Sequence, residues 1–195
     1  SALGDKVECK RTAKANGVPV FPGSPDAIED EEEAVRIANE IGYPVIIKAS
    51  AGGGGRGMKV CHNEVSLRSM LRVASQEAAA AFGNGAVFIE KYLEKARHVE
   101  IQMLGDKHGN AIYLWERDCS LQRRHQKVIE EAPAPNIDRA KLQKVAESAA
   151  KMIKSVKYAG AATCEFLLDE KGDFYMLEVN TRVQVEHPVT ELITG

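Results

Sequence analysis

Apolar and polar positions along this chain follow two periods, and the two alternate. Residues 4–16 carry a helical repeat that Gly17 ends, with Pro19 just beyond. A loop rich in Pro and Gly follows. Residues 30–41 repeat the helical pattern, with acidic residues in the first turn and Gly42-Tyr43-Pro44 as the stop. Val45-Ile46-Ile47-Lys48-Ala49 is a short apolar run with one lysine and predicts a strand. A glycine loop spans 52–57, and 58–61 predicts another strand. The spacing predicts a long helix over 64–82, closed by Gly83-Asn84-Gly85. Strands follow at 86–92, 97–104 and 111–117, the last two joined by a hairpin loop at Asp106-Lys107-His108-Gly109-Asn110. The polar stretch 120–131 fits neither period. Pro133 and Pro135 break the chain, Asp138 opens a helix to about 156, and 161–168 with 174–180 predict a hairpin. Hairpins mixed with helices give an α+β fold with largely antiparallel sheets. A domain boundary falls near Tyr92.

Composition narrows the class. The 195 residues carry 26 Lys plus Arg against 28 Asp plus Glu, a formal net charge of −2, which opposes a dedicated nucleic-acid binder. At 44% hydrophobic and 28% charged, the chain is globular rather than disordered. Its apolar runs are too short to span a bilayer as a helix. The cysteines, Cys9, Cys61, Cys119 and Cys164, form no C-x-x-C pair and read as reduced core residues of an intracellular protein. No signal peptide is visible. The first residue is Ser1 rather than Met, and the chain stops in a segment that reads as a beginning helix. It is expected to be a piece of a longer protein.

The glycine loop is the first chemical candidate. Gly52, Gly54 and Gly57 satisfy G-x-G-x-x-G, but a strand follows where a dinucleotide fold needs a helix. Gly52 and Gly57 have the outer spacing of a P-loop, but Met58-Lys59 stands where Lys-Ser or Lys-Thr belongs. Two readings remain. One is a glycine flap that offers backbone N–H groups to an anion, with Lys48 nearby, because a lysine in an apolar strand needs a partner. The other is a flexible surface hairpin with Lys48 facing water.

The last third offers paired carboxylates. If Lys171-Gly172 is a two-residue hairpin loop, positions summing to 343 face each other and Glu165 lies across from Glu178. Like charges placed opposite are destabilising, and a hard cation removes the penalty. Two carboxylates and the amide oxygen of Asn180 suit Mg²⁺ or Mn²⁺. Solvated glutamates on an exposed hairpin are the other reading, and a slip of one residue would undo the pairing. If the chain stays extended beyond 180, Glu178, Asn180, Arg182, Gln184 and Glu186 project to one side. That row holds metal ligands, a guanidinium for an anion and a candidate general base. It equally describes a plain solvent face with an ion pair of little worth.

Seven segments in order carry a resemblance: Lys48-Ala-Ser-Ala-Gly-Gly-Gly-Gly-Arg-Gly-Met58, Glu90-Lys-Tyr-Leu93, Arg97-His-Val-Glu-Ile-Gln102, Glu116-Arg-Asp-Cys-Ser120, Gln122-Arg-Arg-His-Gln-Lys127, Glu130-Glu-Ala-Pro133 and Glu178-Val-Asn-Thr-Arg-Val-Gln-Val-Glu-His-Pro188. Together they resemble biotin carboxylase, the ATP-grasp component of biotin-dependent carboxylases, over essentially the whole chain. The resemblance implies an ATP-grasp fold divided into the end of a preceding α/β domain (1–19), a glycine-flap lid (20–92) and part of a larger antiparallel-sheet domain (93–195). It implies ATP-dependent carboxylation of carrier-bound biotin by bicarbonate through carboxyphosphate, whose phosphate deprotonates the ureido nitrogen before that nitrogen attacks CO₂. It also implies roles by residue. Lys6 and Lys48 would hold ATP phosphates, with Gly54 and Gly55 in the closing flap. Glu90, Lys91, Tyr92 and Leu93 would flank adenine. His98 and Gln122 would reach the ribose side, and His125 the phosphates. Glu165, Glu178 and Asn180 would bind two Mg²⁺ or Mn²⁺ ions. Arg182, Gln184 and the Val185 backbone would hold bicarbonate. Glu186 would take its proton, Lys127 would stabilise carboxyphosphate or its precursor, and Arg182 would also steady the biotin anion.

The implied partners are a biotin carboxyl carrier protein or domain, a carboxyltransferase component and a second copy when the protein is full length, with no nucleic acid and no membrane. The implied compartment is a bacterial cytoplasm or a mitochondrial matrix. The final acceptor stays open among acetyl-CoA (the step that feeds fatty acid biosynthesis), propionyl-CoA, methylcrotonyl-CoA and pyruvate. Val179 and Val183 stand where the family often has bulkier apolar residues. The larger departure is length, so the fragment alone is expected to be inactive. The rival readings are a different ATP-grasp ligase, such as a carbamoyl-phosphate synthetase relative, and a catalytically silent nucleotide-binding module.

Overall fold

A computed structural model describes residues 3, 6–28, 30–50, 58–124 and 126–195. In chain order the elements are α1 (Lys6–Ala15), α2 (Glu31–Ile41), β1 (Val45–Ala49), β2 (Lys59–Cys61), α3 (Glu64–Phe82), β3 (Val87–Lys91), β4 (Arg97–Gly105), β5 (Ala111–Arg123), β6 (Gln126–Glu131), α4 (Arg139–Ser155), β7 (Gly160–Leu168), β8 (Phe174–Asn180) and α5 (His187–Thr194). They form two compact units, Phe21–Glu94 and the combination of Ser1–Val20 with Lys95–Gly195. The N-terminal segment thus packs with the larger sheet. Sheets are antiparallel throughout, as the α+β reading expects. Among the described residues no helix is long and apolar enough to cross a membrane. The four cysteines are buried and free.

In the smaller unit the sheet order is β2-β1-β3. Val45 and Ile47 of β1 join Ala34, Ala38, Leu67, Ala74 and Ile89 in one core. Both helices begin at side-chain caps. Asp30 accepts from the Glu33 N–H, and Asn63 and Ser66 form a reciprocal capping box. Gly83 closes α3 in the left-handed conformation.

The larger unit is a five-stranded sheet, β6-β5-β4-β7-β8. In β4 the residues Val99, Ile101 and Met103 face a core shared with Cys9 and Ala13 of α1, Leu142, Ala149 and Met152 of α4, and Phe166 of β7. The alternate residues, Glu100 and Gln102, are just as buried but polar. Period-2 alternation therefore separates an apolar face from a polar one.

Three details differ from the sequence reading. Within the unassigned stretch, 120–123 end β5 and 126–131 form β6, and the two strands pair across a register shift. The β7–β8 connection is longer than two residues, since Leu168 pairs with Phe174 and the Asp169 N–H bonds to Asp173 O at 3.0 Å. Near this loop the partners sum to 342. A bulge at Leu177 restores 343, and Glu165 pairs with Glu178 after all. The bulge also sets the faces. Strict alternation would have placed Glu178 with the core residues Phe174 and Met176, whereas the extra residue gives that side to Val179. Finally, the extended row beyond 180 does not form. β8 ends at Asn180, residues 181–186 turn, and α5 begins at His187 with Pro188 in its first turn.

Candidate active site

In the smaller unit, Lys48 and Glu90 lie diagonally on adjacent strands, since Ile46 is the partner of Glu90. The Lys48 Nζ donates to Glu90 Oε2 at 2.5 Å and sits 5.6 Å from the centre of the Phe21 ring. The lysine of the apolar strand is thus paired, as its cost requires. Lys91 turns its ammonium to the carbonyls of Gly42 and Tyr43, both at 3.0 Å. The backbone N–H of Lys91 reaches Pro22 O, and that of Tyr92 reaches Pro44 O. Tyr92 and Leu93 are half-buried.

The larger unit gathers its charge on the polar face of the sheet. The Lys127 Nζ, from β6, donates to Glu100 Oε2 at 2.5 Å, Glu165 Oε1 at 2.9 Å and Glu186 Oε1 at 2.5 Å. Glu165 Oε1 also accepts from Asn180 Nδ2 and Gln184 Nε2, both at 3.0 Å. Its second oxygen lies 3.2 Å from His98 Nε2. Glu178 is exposed and stands 3.5 Å from the Asn180 amide. Beneath these, the fully buried Arg117 donates from Nε to Glu100 Oε1 at 2.7 Å and from Nη1 to Gln102 Oε1 at 2.9 Å.

The titration behaviour follows from this packing. Burial by itself would raise the Glu165 carboxyl, but His98 and Lys127 reverse that and hold it at about 2. Burial likewise pushes Glu186 up, and Lys127 and the backbone outweigh it, leaving the carboxyl below its ordinary value. Burial would lower Lys127, and its contacts with Glu100, Glu186 and Glu165 instead raise it. The cluster thus sets Glu100, Glu165 and Glu186 around Lys127, with Arg117 against Glu100 beneath. The Cys119 thiol on the same face is pushed far up by burial and by the charge of Glu100, so it is no nucleophile at neutral pH.

The structure brings Lys127, Glu165, Glu186, Asn180, Gln184 and His98 into one connected cluster. Glu178 sits at its rim. Gln122 is the strand partner of Lys127, with its amide turned to Cys119 O at 2.9 Å. Arg182 is exposed, and among the described residues its guanidinium reaches the neighbouring Val183 carbonyl, at 3.4 Å. Val185 is 93% exposed. Because the chain turns after 180, these two do not share a face with Gln184 and Glu186, which are buried. The Lys6 side chain, Gly54, Gly55 and His125 lie outside the described residues. Sequence reasoning missed Glu100, Gln102 and Arg117, and also Thr190 of α5, whose hydroxyl accepts from Arg117. The polar phase of β4 was visible, but nothing in the sequence said that a second layer would bury it.

A family profile described as carbamoyl-phosphate synthase L chain, ATP binding domain, matches residues 5–195. The mitochondrial propionyl-CoA carboxylase alpha chain of Homo sapiens is 55% identical over 194 residues, which are 100% of this chain and 27% of that protein. Biotin carboxylase 1 of Bacillus subtilis is 54% identical over 196 residues, 100% of this chain and 44% of that one. Among solved structures, the biotin carboxylase domain dimer of Hydrogenobacter thermophilus 2-oxoglutarate carboxylase, in complex with MgADP, ADP and bicarbonate, has a TM-score of 0.90 at 52% identity, covering 99% of this chain and 43% of that one. The Campylobacter jejuni biotin carboxylase, solved as a β,γ-ATP complex, gives 0.90 at 50% identity over 98% of this chain and 43% of that one. The chain therefore spans less than half the length of these relatives.

Proposed function

Since this chain belongs to the carbamoyl-phosphate synthase L chain ATP-binding domain family and has the ATP-grasp fold of its biotin carboxylase neighbours, we propose that it is the nucleotide- and bicarbonate-handling part of a biotin carboxylase. The observation that carries this reading is the Lys127 ammonium, which joins the candidate base Glu186 to the candidate metal ligand Glu165. Glu186, held below its ordinary value and so ionised at neutral pH, is assigned to accept the proton of bicarbonate. The bicarbonate oxygen then attacks the terminal phosphorus of ATP, ADP leaves, and Lys127 stabilises the charge gathered on carboxyphosphate. Arg182 is assigned to bicarbonate and to the biotin anion, with Gln184 and the Val185 backbone as further bicarbonate contacts. Lys48 is assigned to the phosphates, Glu90 to Leu93 to adenine, and His98 and Gln122 to the ribose side. The smaller unit takes the role of the lid subdomain.

The donors on the polar face fit a hard divalent cation. The Asn180 Nδ2 stands 3.0 Å from Glu165 and 3.5 Å from Glu178, so the amide would turn its oxygen to a metal held between the two carboxylates, and Glu165 needs no proton removed before ligating. Glu165, Glu178 and Asn180 would hold Mg²⁺ or Mn²⁺, which neutralises phosphate charge when bound. The whole protein would act on carrier-bound biotin and pass the carboxyl group to a carboxyltransferase. It would work as a homodimer in a bacterial cytoplasm or a mitochondrial matrix.

The test is ADP release by the full-length parent protein with Mg²⁺, with and without bicarbonate and free biotin. Release should require bicarbonate and rise with biotin. Glu186→Gln should lower it by roughly 10²- to 10⁴-fold, the usual worth of a general base. Release indifferent to bicarbonate and biotin would assign the fold to a different ATP-dependent ligase. Nucleotide binding without release would make it a silent binding module.

A further inference from the structure

We propose that Thr190, held by Arg117, is a positioning residue that fixes the carboxylate of Glu186 against Lys127. Thr190 lies on α5 one helical turn after Glu186, and both are buried. Its hydroxyl oxygen accepts from Arg117 Nη1 at 2.5 Å. Arg117 Nε bonds Glu100 Oε1 at 2.7 Å, Glu100 Oε2 accepts from Lys127 at 2.5 Å, and Lys127 reaches Glu186 at 2.5 Å. The path then returns along the first turn of α5, so the contacts close a ring.

The ring has a reason in the local structure. Glu186 occupies the N-cap position of α5, yet its side chain caps nothing there. Beyond the backbone of Glu186 itself, its helix therefore does not hold the carboxylate in place. The preceding turn, 181–186, is mostly exposed and supplies little packing. Thr190 instead ties the helix to the most buried cation of the sheet. A second tether runs beside it, where His187 Nδ1 lies 3.3 Å from Gln102 Oε1, the oxygen that Arg117 also grips. Four fully or nearly fully buried side chains, Glu100, Gln102, Arg117 and Thr190, thus share one network on the polar face. A buried charged network earns specificity of geometry more readily than stability. Here the geometry it specifies is the distance from Glu186 to the Lys127 ammonium.

This inference rests on the reading of Glu186 as the base, and the experiment separates the two. Thr190→Val keeps shape and removes the hydroxyl, whereas Thr190→Ser keeps the hydroxyl. Both are placed in the full-length parent and assayed for bicarbonate-dependent ADP release, ATP-analogue binding, and amide hydrogen exchange over residues 184–195. Thr190→Val should lower kcat by roughly ten- to a hundredfold, the scale on which misplacement by about an ångström costs rate. The dissociation constant of the ATP analogue should stay within about twofold, exchange over 184–195 should quicken, and Thr190→Ser should restore both rate and protection. Unchanged kcat in Thr190→Val overturns the proposal. Equal damage from Val and Ser also overturns it, because the hydroxyl would then not be the tether. If the unaltered protein shows no bicarbonate-dependent release, the functional reading fails. Exchange then decides the tether alone: quickened in Val and restored in Ser supports it, and no difference between the two overturns it.

Discussion

Asp118 shows how single residues on this sheet divide between structure and chemistry. Its Oδ2 accepts from Arg97 Nε at 3.0 Å and Nη2 at 2.5 Å, and its Oδ1 accepts from the Ser120 N–H at 2.9 Å. Burial alone would raise its carboxyl, but Ser120 and Arg97 overturn this and leave it below the ordinary value. A carboxylate held below its unfolded value binds fewer protons when folded, so its stabilising effect is present above about pH 4 and fades as pH falls further. Asp118→Asn should therefore lower stability at pH 7 by about 1.5–3 kcal/mol, the range for hydrogen bonds to charged groups. Denaturant midpoints of both proteins from pH 7 to pH 3 check this. The gap should narrow as the acid end is approached, and a gap that is constant or widens there would mean that Asp118 does not stabilise as a charge. Arg97 and Asp118 both fall inside recognisable segments, yet nothing in the sequence pattern tells them from the residues beside them. His98 and Cys119, one position along in each strand, point to the polar face instead.

At the scale of elements, close backbone approach limits what the strands accept. A Cβ on Gly105, at the end of β4, would meet the Tyr158 carbonyl oxygen at 2.1 Å. That atom belongs to the backbone and cannot swing away. Gly105→Ala should cost about 1–3 kcal/mol by overpacking, seen as a fall in the thermal midpoint without loss of the far-ultraviolet helix signal. An unchanged midpoint would show that the strand end gives way freely. The elements were legible where apolar residues recur or run together: α3, β1 and β8 have the limits that the sequence pattern predicts. The polar ribbon formed by the end of β5 and by β6 was not legible, although the first part of β5 was. Leu121, Val128 and Ile129 are all exposed there, so no apolar face was present to mark a period. The carboxylate pairing was read correctly on a wrong loop. The two-residue turn assumed for β7–β8 is longer, and the bulge at Leu177 makes up the difference. A bulge leaves little trace in a single sequence, because it is chosen by the fit of Phe174, Met176 and Val179 to the core beneath. The same holds for the site. Lys48, Lys127, Glu165 and Glu186 were within reach of sequence reasoning, while the layer of Glu100, Arg117 and Thr190 beside Lys127 in the larger unit became visible only once α5 was folded onto the sheet.

At the scale of the whole molecule, the chain order of the two units makes a prediction about folding. Residues Phe21–Glu94 are continuous and carry their own core, whereas the larger unit is assembled from two separate stretches. Both ends of the continuous stretch are tied together within it. Gly23 bridges Glu90, and the Lys91 N–H reaches Pro22 O at 2.8 Å. The larger unit, by contrast, depends on residues far away in sequence. Leu3, Cys9, Ala13 and Val18 are buried in its core, and Val20 bridges Met176 of β8. Each large apolar side chain in such a place contributes about 1.5–3 kcal/mol as an upper figure, against a total stability of about 5–15 kcal/mol for a domain. Residues 95–195 alone should therefore be poorly folded, with a shallow denaturant transition and bound hydrophobic dye. Joining 1–20 to 95–195 through a flexible linker of about a dozen residues should restore a single cooperative transition, since the bridge at Gly23 and Glu90 keeps the span within reach of such a chain. Residues 21–94 expressed alone should unfold in one cooperative step. If 95–195 unfolds as sharply without 1–20 as with it, α1 is an ornament on the larger unit rather than part of its core. The Thr190 ring, which lies entirely within that unit, would then stand without the N-terminal segment.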